Sequence, residues 1–577
     1  MSRSALPILL VSLSASVAYA QVLDGGTRDA GAATAKAPVA TAKAQAATAK
    51  APAATAKAPA AKPVAAVAAP TTKPAATAPP APVVAAAPKP AELPDGGDAK
   101  AGKFAPTLVT PAPTASTAER GKWLKDQIDA ALNDPGLGAS KVGIAVEEVD
   151  SGKLLYERND GGLFNPASNV KLFTTAAALA ILGPEYRWKT VVYAETPVSG
   201  GELKGKLYIK GHGDPSLVVE DLWKIVGDLY AGGLRKVSGD LAVDDSFFDA
   251  VRVGPGFEQK NEDAPFRAPN GALSLNYNAV GVHVYPGAEE AAPARVILDP
   301  QTPYFTIVDE ARTVASGRTL ITVESHEAAD HTEIVVRGRI RAGDPGQVVA
   351  RRVAHPDLFA AYAFRELLSR RGIKISGNVV RDTAPTTAKA LNAHYSQPLG
   401  VVVRDVNKHS NNFMAEQILK TLGAETGGRP GTWQKGLDAV AGFLAERLGI
   451  NHDKYKMTNG SGLYASNLFS PLQLVTLLRF AYKDFRFAAD FIGSLALAGA
   501  DGTVSHRMEG SLAERYVRAK TGTLAGVSCL AGYAGAPGHP PLAFAIFMND
   551  VPDPATQKAR KAQDAIAEAL VAYLLSH

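Results

Sequence analysis

The stretch from residue 21 to about residue 115 limits what the rest of the chain can do, because it has almost nothing with which to build a core. It is Ala, Pro, Thr and Lys with almost no aromatic residue. A seven-residue repeat sets Thr34, Thr41, Thr48 and Thr55 in register, each followed by a lysine: Lys36, Lys43, Lys50 and Lys57. A period of seven could mark a coiled coil. However, Pro38, Pro52 and Pro59 each break a helix, and no large apolar side chain fills a seam. The segment predicts a disordered, partly polyproline-II tether, whose extended limit is on the order of 300 Å at about 3.1 Å per residue. A passive spacer is the plain reading. Weak electrostatic contact of its spaced lysines with anionic wall polymer or membrane is the alternative. The folded part must then lie in residues 116–577, which is long enough for two or three domains.

Residues 1–20 read as a signal peptide. Arg3 supplies the positive charge, Leu6 to Val17 is mostly apolar, and Ala18-Tyr19-Ala20 is an A-x-A cleavage site. The apolar run is too short to span a bilayer, and no Cys follows the cleavage site to carry a lipid. The expectation is export to the periplasm or cell envelope. The single cysteine, Cys529, excludes an intramolecular disulfide and sits in the apolar pattern VSCLAGY, which suits a small core residue. The net charge of +5 comes from the N-terminal part, where residues 21–115 hold nine Lys and one Arg against five acids. With Arg3 also set aside, residues 116–577 carry −1, which does not suit a nucleic-acid surface.

Val142, Ile144 and Val146 alternate, Asp150-Ser151-Gly152 turn, and Leu154-Leu155-Tyr156 follow, as in a hairpin. Asn165-Pro166 opens a helix that runs to about Leu182, where Gly183-Pro184 end it. Residues 191–350 read as inserted β-rich material, with short runs such as LKGKLYIKG, LAVDDSFF and EIVVRGRI between Gly- and Pro-rich turns. From about His355 helical patterns return, with Phe359, Tyr362, Ala363, Leu367 and Leu368 on one face up to Gly372. Strands over 516–522, 526–535 and 541–549 then precede a helix with Ile566, Leu570, Tyr573 and Leu574 on one face. The pattern predicts an α+β core from 116–190 and 351–577, with inserted β-rich domains between.

Three short motifs carry the chemistry. They are Ser168-Asn169-Val170-Lys171 (S-x-x-K), Ser410-Asn411-Asn412 (S-x-N) and Lys520-Thr521-Gly522-Thr523 (K-T-G-T). Each alone is cheap; about one S-x-x-K is expected by chance in a chain this long. Their order and context add weight: a helix start, a turn between helices, and a strand that opens a meander. A serine hydroxyl needs an adjacent base to attack a carbonyl. At i and i+3 of a helix, Ser168 and Lys171 share a face. An amine is a base only when neutral, which burial and a second cation, Lys520, would favour. Ser410 suits proton relay to the leaving amine. Asn412 suits a donor to the substrate amide and a holder of Lys171. Backbone N–H groups of Ser168 and Thr523 would form an oxyanion hole. The hydroxyls of Thr521 and Thr523, with Lys520, suit a free terminal carboxylate such as that of D-Ala-D-Ala.

The chain resembles the low-molecular-mass, class C penicillin-binding proteins, the D-Ala-D-Ala carboxypeptidase/endopeptidase family. The likeness covers roughly residues 120–577. It rests on PASNVKLFTTAAAL (166–179), GHGDPSL (211–217), SLNYNAV (274–280), NKHSNNFMAEQ (407–417), NGSGL (459–463), DGTVSHR (501–507) and AKTGTLAGVSCLAGY (519–533). S-x-x-K and S-x-N lie 242 residues apart, and this family carries inserted domains there. The resemblance implies a penicillin-binding, β-lactamase-like transpeptidase core, an antiparallel sheet with flanking helices, interrupted by two smaller inserted domains. It implies Ser168 as the acylated nucleophile, peptidoglycan stem peptides as substrate, β-lactams as covalent inhibitors, and no cofactor. It also implies that an acid of the inserted material approaches the amino group of the substrate's diamino acid. Asp245 is the candidate, with a simple turn aspartate as the alternative. Where the family often reads D-G-S-G-L-S-R, Asn459, Tyr464 and Ala465 depart from it.

A β-lactamase-like hydrolase is the nearest rival, but no E-x-x-L-N-like segment supplies a deacylating base. A non-catalytic peptidoglycan-binding or sensor protein would tolerate degenerate motifs, and all three motifs are complete. There is no H-E-x-x-H for a metal and no G-x-S-x-G elbow, and the eleven histidines are scattered. Neither the oligomeric state nor the identity of the diamino acid is legible in this pattern.

Overall fold

The structure, a computed structural model, describes residues 115–464 and 467–576. The expected signal peptide (1–20) and nearly all of the expected tether (21–115) lie outside them. The first element is a helix, Thr117–Leu132, started by a capping box in which Ser116 and Glu119 satisfy each other's backbone donors.

The central sheet has six antiparallel strands in the order Ala496–Leu497, Val517–Leu524, Val527–Ala536, His539–Asn549, Lys141–Glu148, Leu154–Arg158. The meander and the hairpin expected from the sequence are joined edge to edge, with Lys141 opposite Asn549 and Glu148 opposite Leu542. The sheet is covered on both sides, which is why its strands read as nearly continuous apolar runs. Along His539–Asn549, Ala543, Ala545 and Phe547 face a large helical cluster. Leu542, Phe544, Ile546 and Met548 face the terminal helix Thr556–Leu575, with its buried Ile566, Leu570, Tyr573 and Leu574. Each such fully buried aliphatic or aromatic side chain contributes about 1.5–3 kcal/mol relative to exposure.

On the other side, the helix Val170–Leu182 is buried on nearly every face. It is surrounded by the helices Leu399–Lys408, Asn412–Thr426, Trp433–Leu448 and Pro471–Lys483. A helix apolar all round belongs inside a domain.

The inserted material differs from the sequence reading in two ways. It contains a helix, Val219–Ala231, whose buried Leu222, Ile225, Val226 and Leu229 follow the i, i+3, i+4, i+7 rule inside a region read as strands. It also runs past residue 350. The strand Lys389–Tyr395 pairs antiparallel with Lys189–Ala194, and Val379–Arg381 pairs with Leu241–Asp244. The helix Pro356–Arg371, expected in the returning core, packs Phe359, Ala363, Phe364 and Leu368 into the inserted cluster beside Leu222, Ile225 and Val243. Its amphipathic period announces a buried face but does not say which partner covers it. The core resumes only at Leu399–Lys408. The other inserted strands, among them Ala279–Tyr285, Leu320–Glu327 and Thr332–Arg341, form further small sheets that share the same apolar cluster.

Candidate active site

Ser168 stands in a short 3-10 turn, Ala167–Asn169, that leads into the helix Val170–Leu182. The expected helix start is thus one tight turn followed by the α-helix. Ala167 takes a left-handed φ of 47°, which turns the chain sharply just before the serine. The turn is clamped from below: Asn165 N–H donates to Asn549 Oδ1 at 2.7 Å, and Asn549 Nδ2 returns a bond to the Asn165 carbonyl at 3.0 Å.

One turn along the helix, Lys171 is completely buried. Its Nζ lies 3.0 Å from Ser168 Oγ, 2.6 Å from Asn412 Oδ1 and 2.7 Å from the carbonyl oxygen of Ser461. Burial first, and the Lys520 ammonium second, hold Lys171 well below the ordinary lysine range, while the Glu416 carboxylate pulls the other way.

Asn412 begins the helix Asn412–Thr426, N-capped by Asn411, whose side chain accepts from Met414 N–H. Its amide is held at both ends: the oxygen receives Lys171, and Nδ2 donates to the carbonyl of Phe266 in the inserted material at 3.1 Å. Ser410 lies in the turn between two helices with φ 56°. A non-glycine residue held there is strained by about 1–3 kcal/mol, a pattern common at functional sites. Its Oγ accepts from Lys520 Nζ at 2.8 Å. Lys520 is itself fully buried on the strand Val517–Leu524, and its Nζ also donates to the Thr521 carbonyl at 2.7 Å.

On the same strand, Thr521 Oγ1 donates to Thr503 Oγ1 at 2.8 Å, and Thr523 is exposed. Gly522 fits where no side chain would, since an added Cβ would lie 2.5 Å from the carbonyl oxygen of Pro166. Gly462 makes the matching close approach from the other side, 2.0 Å from the carbonyl oxygen of Ala167, with φ 79°. The structure therefore gathers Ser168, Lys171, Ser410, Asn412 and the K-T-G-T strand into one cluster of direct contacts.

Asp245 is placed elsewhere. Its carboxylate accepts from Leu273 N–H at 2.6 Å and is bound by the Arg252 guanidinium. It lines a cavity of about 430 Å³ with Arg252, Asp357 and Arg381 that shares no residue with the serine–lysine cluster. Burial pushes this carboxyl up to about 6, against the pull of Arg252. A sequence cannot distinguish an acid facing a ligand from one facing an arginine 7 positions away.

Two participants escaped the motif reading: the Ser461 carbonyl and Glu416. The signals were there in NGSGL and in a lone acid within the apolar helix NFMAEQILK. Asn459, in place of an acid, closes its own loop, with Oδ1 accepting from Gly462 N–H at 2.9 Å. Among the described residues no group of three or more His, Cys, Asp or Glu could hold a metal ion.

A buried lysine on a serine hydroxyl and a second lysine on a strand of an antiparallel sheet, flanked by helices, define the penicillin-binding, β-lactamase-like fold class. The chain belongs to the D-Ala-D-Ala carboxypeptidase 3 (S13) family, whose model matches residues 124–570. It is 35% identical over 480 residues to a D-alanyl-D-alanine carboxypeptidase of Actinomadura sp., covering 81% of this chain and 87% of that protein. It is 26% identical over 416 residues to the D-alanyl-D-alanine carboxypeptidase DacB of Haemophilus influenzae, covering 71% and 85%. Among solved structures, penicillin binding protein 4 of Haemophilus influenzae shares the fold with a TM-score of 0.66 at 23% identity, over 76% of this chain and 98% of that one.

Proposed function

We propose that this chain is an exported serine-type D-Ala-D-Ala carboxypeptidase that acts on peptidoglycan stem peptides through an acyl-enzyme on Ser168. The observation that carries the reading is the pair of buried lysines, one on Ser168 and Asn412, the other on Ser410. Two ammonium groups buried this close would be costly, and the cheapest resolution leaves Lys171 neutral. A neutral Lys171 directs two N–H bonds to Asn412 and the Ser461 carbonyl, and its lone pair accepts the Ser168 hydroxyl proton. Ser168 Oγ then bonds to the carbonyl carbon of the penultimate D-Ala. The oxyanion faces the backbone N–H groups of Ser168 and Thr523. The peptide C–N bond breaks as its nitrogen takes a proton relayed through Ser410, and free D-Ala leaves. Water then hydrolyses the ester. Lys520, Thr521 and Thr523 suit the terminal carboxylate, and Gly522 keeps the strand close to the serine turn.

The same acylation admits a cross-linked stem as substrate, giving endopeptidase action with a different leaving amine. The β-lactam carbonyl is a second acceptor for Ser168. One penicillin binding protein 4 structure that shares the fold, with a TM-score of 0.62, is complexed with a β-lactam. No helix among the described residues is long and apolar enough to cross a membrane.

Incubation with a labelled penicillin is the test. A stable adduct on Ser168, absent in Ser168→Ala, supports the reading. Rapid turnover of a chromogenic cephalosporin would make the chain a β-lactamase, and no adduct would favour a binding protein. Mass spectrometry of peptidoglycan fragments separates loss of one alanine from conversion of dimers to monomers.

A further inference from the structure

The helix Asn412–Thr426 carries Asn412, Glu416 and Lys420 four residues apart, hence on one face. Glu416 and Lys420 are both fully buried. Ionised groups are seldom placed so deep without a task, because desolvation costs several kcal/mol unless the partners are complete. Those of Glu416 are complete. Its Oε1 accepts Ser461 N–H at 2.8 Å, and its Oε2 accepts Gly460 N–H at 3.1 Å and Trp433 Nε1–H at 2.8 Å. The same loop is held from its carbonyl side, where Thr174 Oγ1 donates to Gly460 at 2.8 Å. The Ser461 carbonyl so fixed is the one that receives Lys171 Nζ at 2.7 Å. Behind Glu416, Lys420 stacks its ammonium 4.2 Å from the centre of the Trp433 ring and bonds Asp249 at 2.7 Å.

We propose that Glu416 is a positioning residue for acylation, clamping the Gly460–Ser461 backbone so that the Ser461 carbonyl holds the Lys171 amine on Ser168. Only a carboxylate offers acceptors on both oxygens to three converging N–H groups. An amide of the same shape turns a donor toward one of them. The charge has a second effect. Two charged groups act on Lys171, Lys520 from the strand Val517–Leu524 and Glu416 from its own helix. Ser168, Asn412 and the Ser461 carbonyl face it as neutral partners. Glu416 thus offsets part of the push from Lys520.

The inference rests on Ser168 and Lys171 acting as nucleophile and base. Its test is the rate of acylation by a fluorescent penicillin as a function of pH, on the full mature chain. Glu416→Gln lowers the maximal rate by about 10–100-fold, as expected for a base displaced by a fraction of an ångström to an ångström. It also moves the acid limb to lower pH by about one unit, because losing the negative charge lets Lys171 lose its proton more easily. Glu416→Asp keeps the charge but withdraws it by one methylene, so the rate falls while the limb stays near its wild-type position. A merely structural role would lower the folded fraction in both variants and leave the limb in place in both. A folded Glu416→Gln at the wild-type rate, or slowed with an unmoved limb, overturns the proposal. If both variants unfold, Trp433→Phe carries the test, read per folded molecule, since it removes the indole donor to Glu416 while keeping an aromatic ring beside Lys420. Slower acylation then supports the clamp, and an unchanged rate refutes it. Absence of any adduct in the wild type would instead sink the acyl-enzyme reading.

Discussion

Gly522→Ala probes how closely the K-T-G-T strand must approach the serine turn. Gly522 does not need glycine for its backbone angle, so an alanine would be conformationally acceptable. The obstacle is space. The new methyl would lie 2.5 Å from the Pro166 carbonyl oxygen and 3.2 Å from both Ala167 Cβ and Cys529 Cβ. An ordinary carbon–oxygen contact is about 3.3 Å. Strand and turn must therefore part by about 0.8 Å. The turn cannot yield cheaply: Ala167 N–H is bonded to Asn165 Oδ1 at 2.8 Å, and Asn165 is held by Asn549. The parting falls between Ser168 and Thr523, whose N–H groups form the proposed oxyanion hole. It also separates Lys520 from the Ser410 turn. A misplacement near 1 Å costs on the order of 100-fold in rate, so acylation by labelled penicillin should fall by about 10–100-fold. Overpacking should cost about 1–3 kcal/mol in stability, read from thermal unfolding. A folded Gly522→Ala protein that acylates at the wild-type rate would refute the argument that this spacing matters. So would a loss that merely tracks the unfolded fraction.

Lys520→Gln removes the like charge that helps keep Lys171 neutral, so the acid limb of the acylation profile should move to higher pH. An unmoved limb would show that burial alone sets the base. Asp245, pushed up to about 6 in the folded chain, binds more protons folded than unfolded between about pH 4 and 6. Its share of stability is therefore lost as pH rises through that window, by at most about 3 kcal/mol. Asp245→Asn should flatten the dependence in denaturant titrations at stepped pH. Cys529 is fully buried, and burial pushes its thiol up to about 12. A thiol reagent at pH 8 should leave it unmodified until the chain is unfolded, and fast labelling of native protein would contradict that packing.

The hairpin at 141–158, the three-strand meander and the terminal helix were legible because their periods are local. Alternation and i, i+4 spacing follow from backbone geometry within a few residues. The three motifs were legible because acyl transfer needs a hydroxyl, amines and a carboxamide in recognisable local settings. The helix Pro356–Arg371 shows where this stops: its apolar face was plain, but its allegiance to the inserted strands was not. Asp245 shows the same for a polar group: nothing local in the sequence told that Arg252 would be its partner.

By itself, then, the sequence determined the hairpin, the meander and the terminal helix, and which side chains are competent for chemistry. Tertiary structure alone decided that Lys171 meets Asn412 across 241 residues and Ser461 across 290, and that Glu416 stands behind that contact. The reason is physical. Contacts between distant segments arise from how whole elements close loops and fill one another's grooves. That outcome depends on the sum of all packing choices, and no local pattern records it.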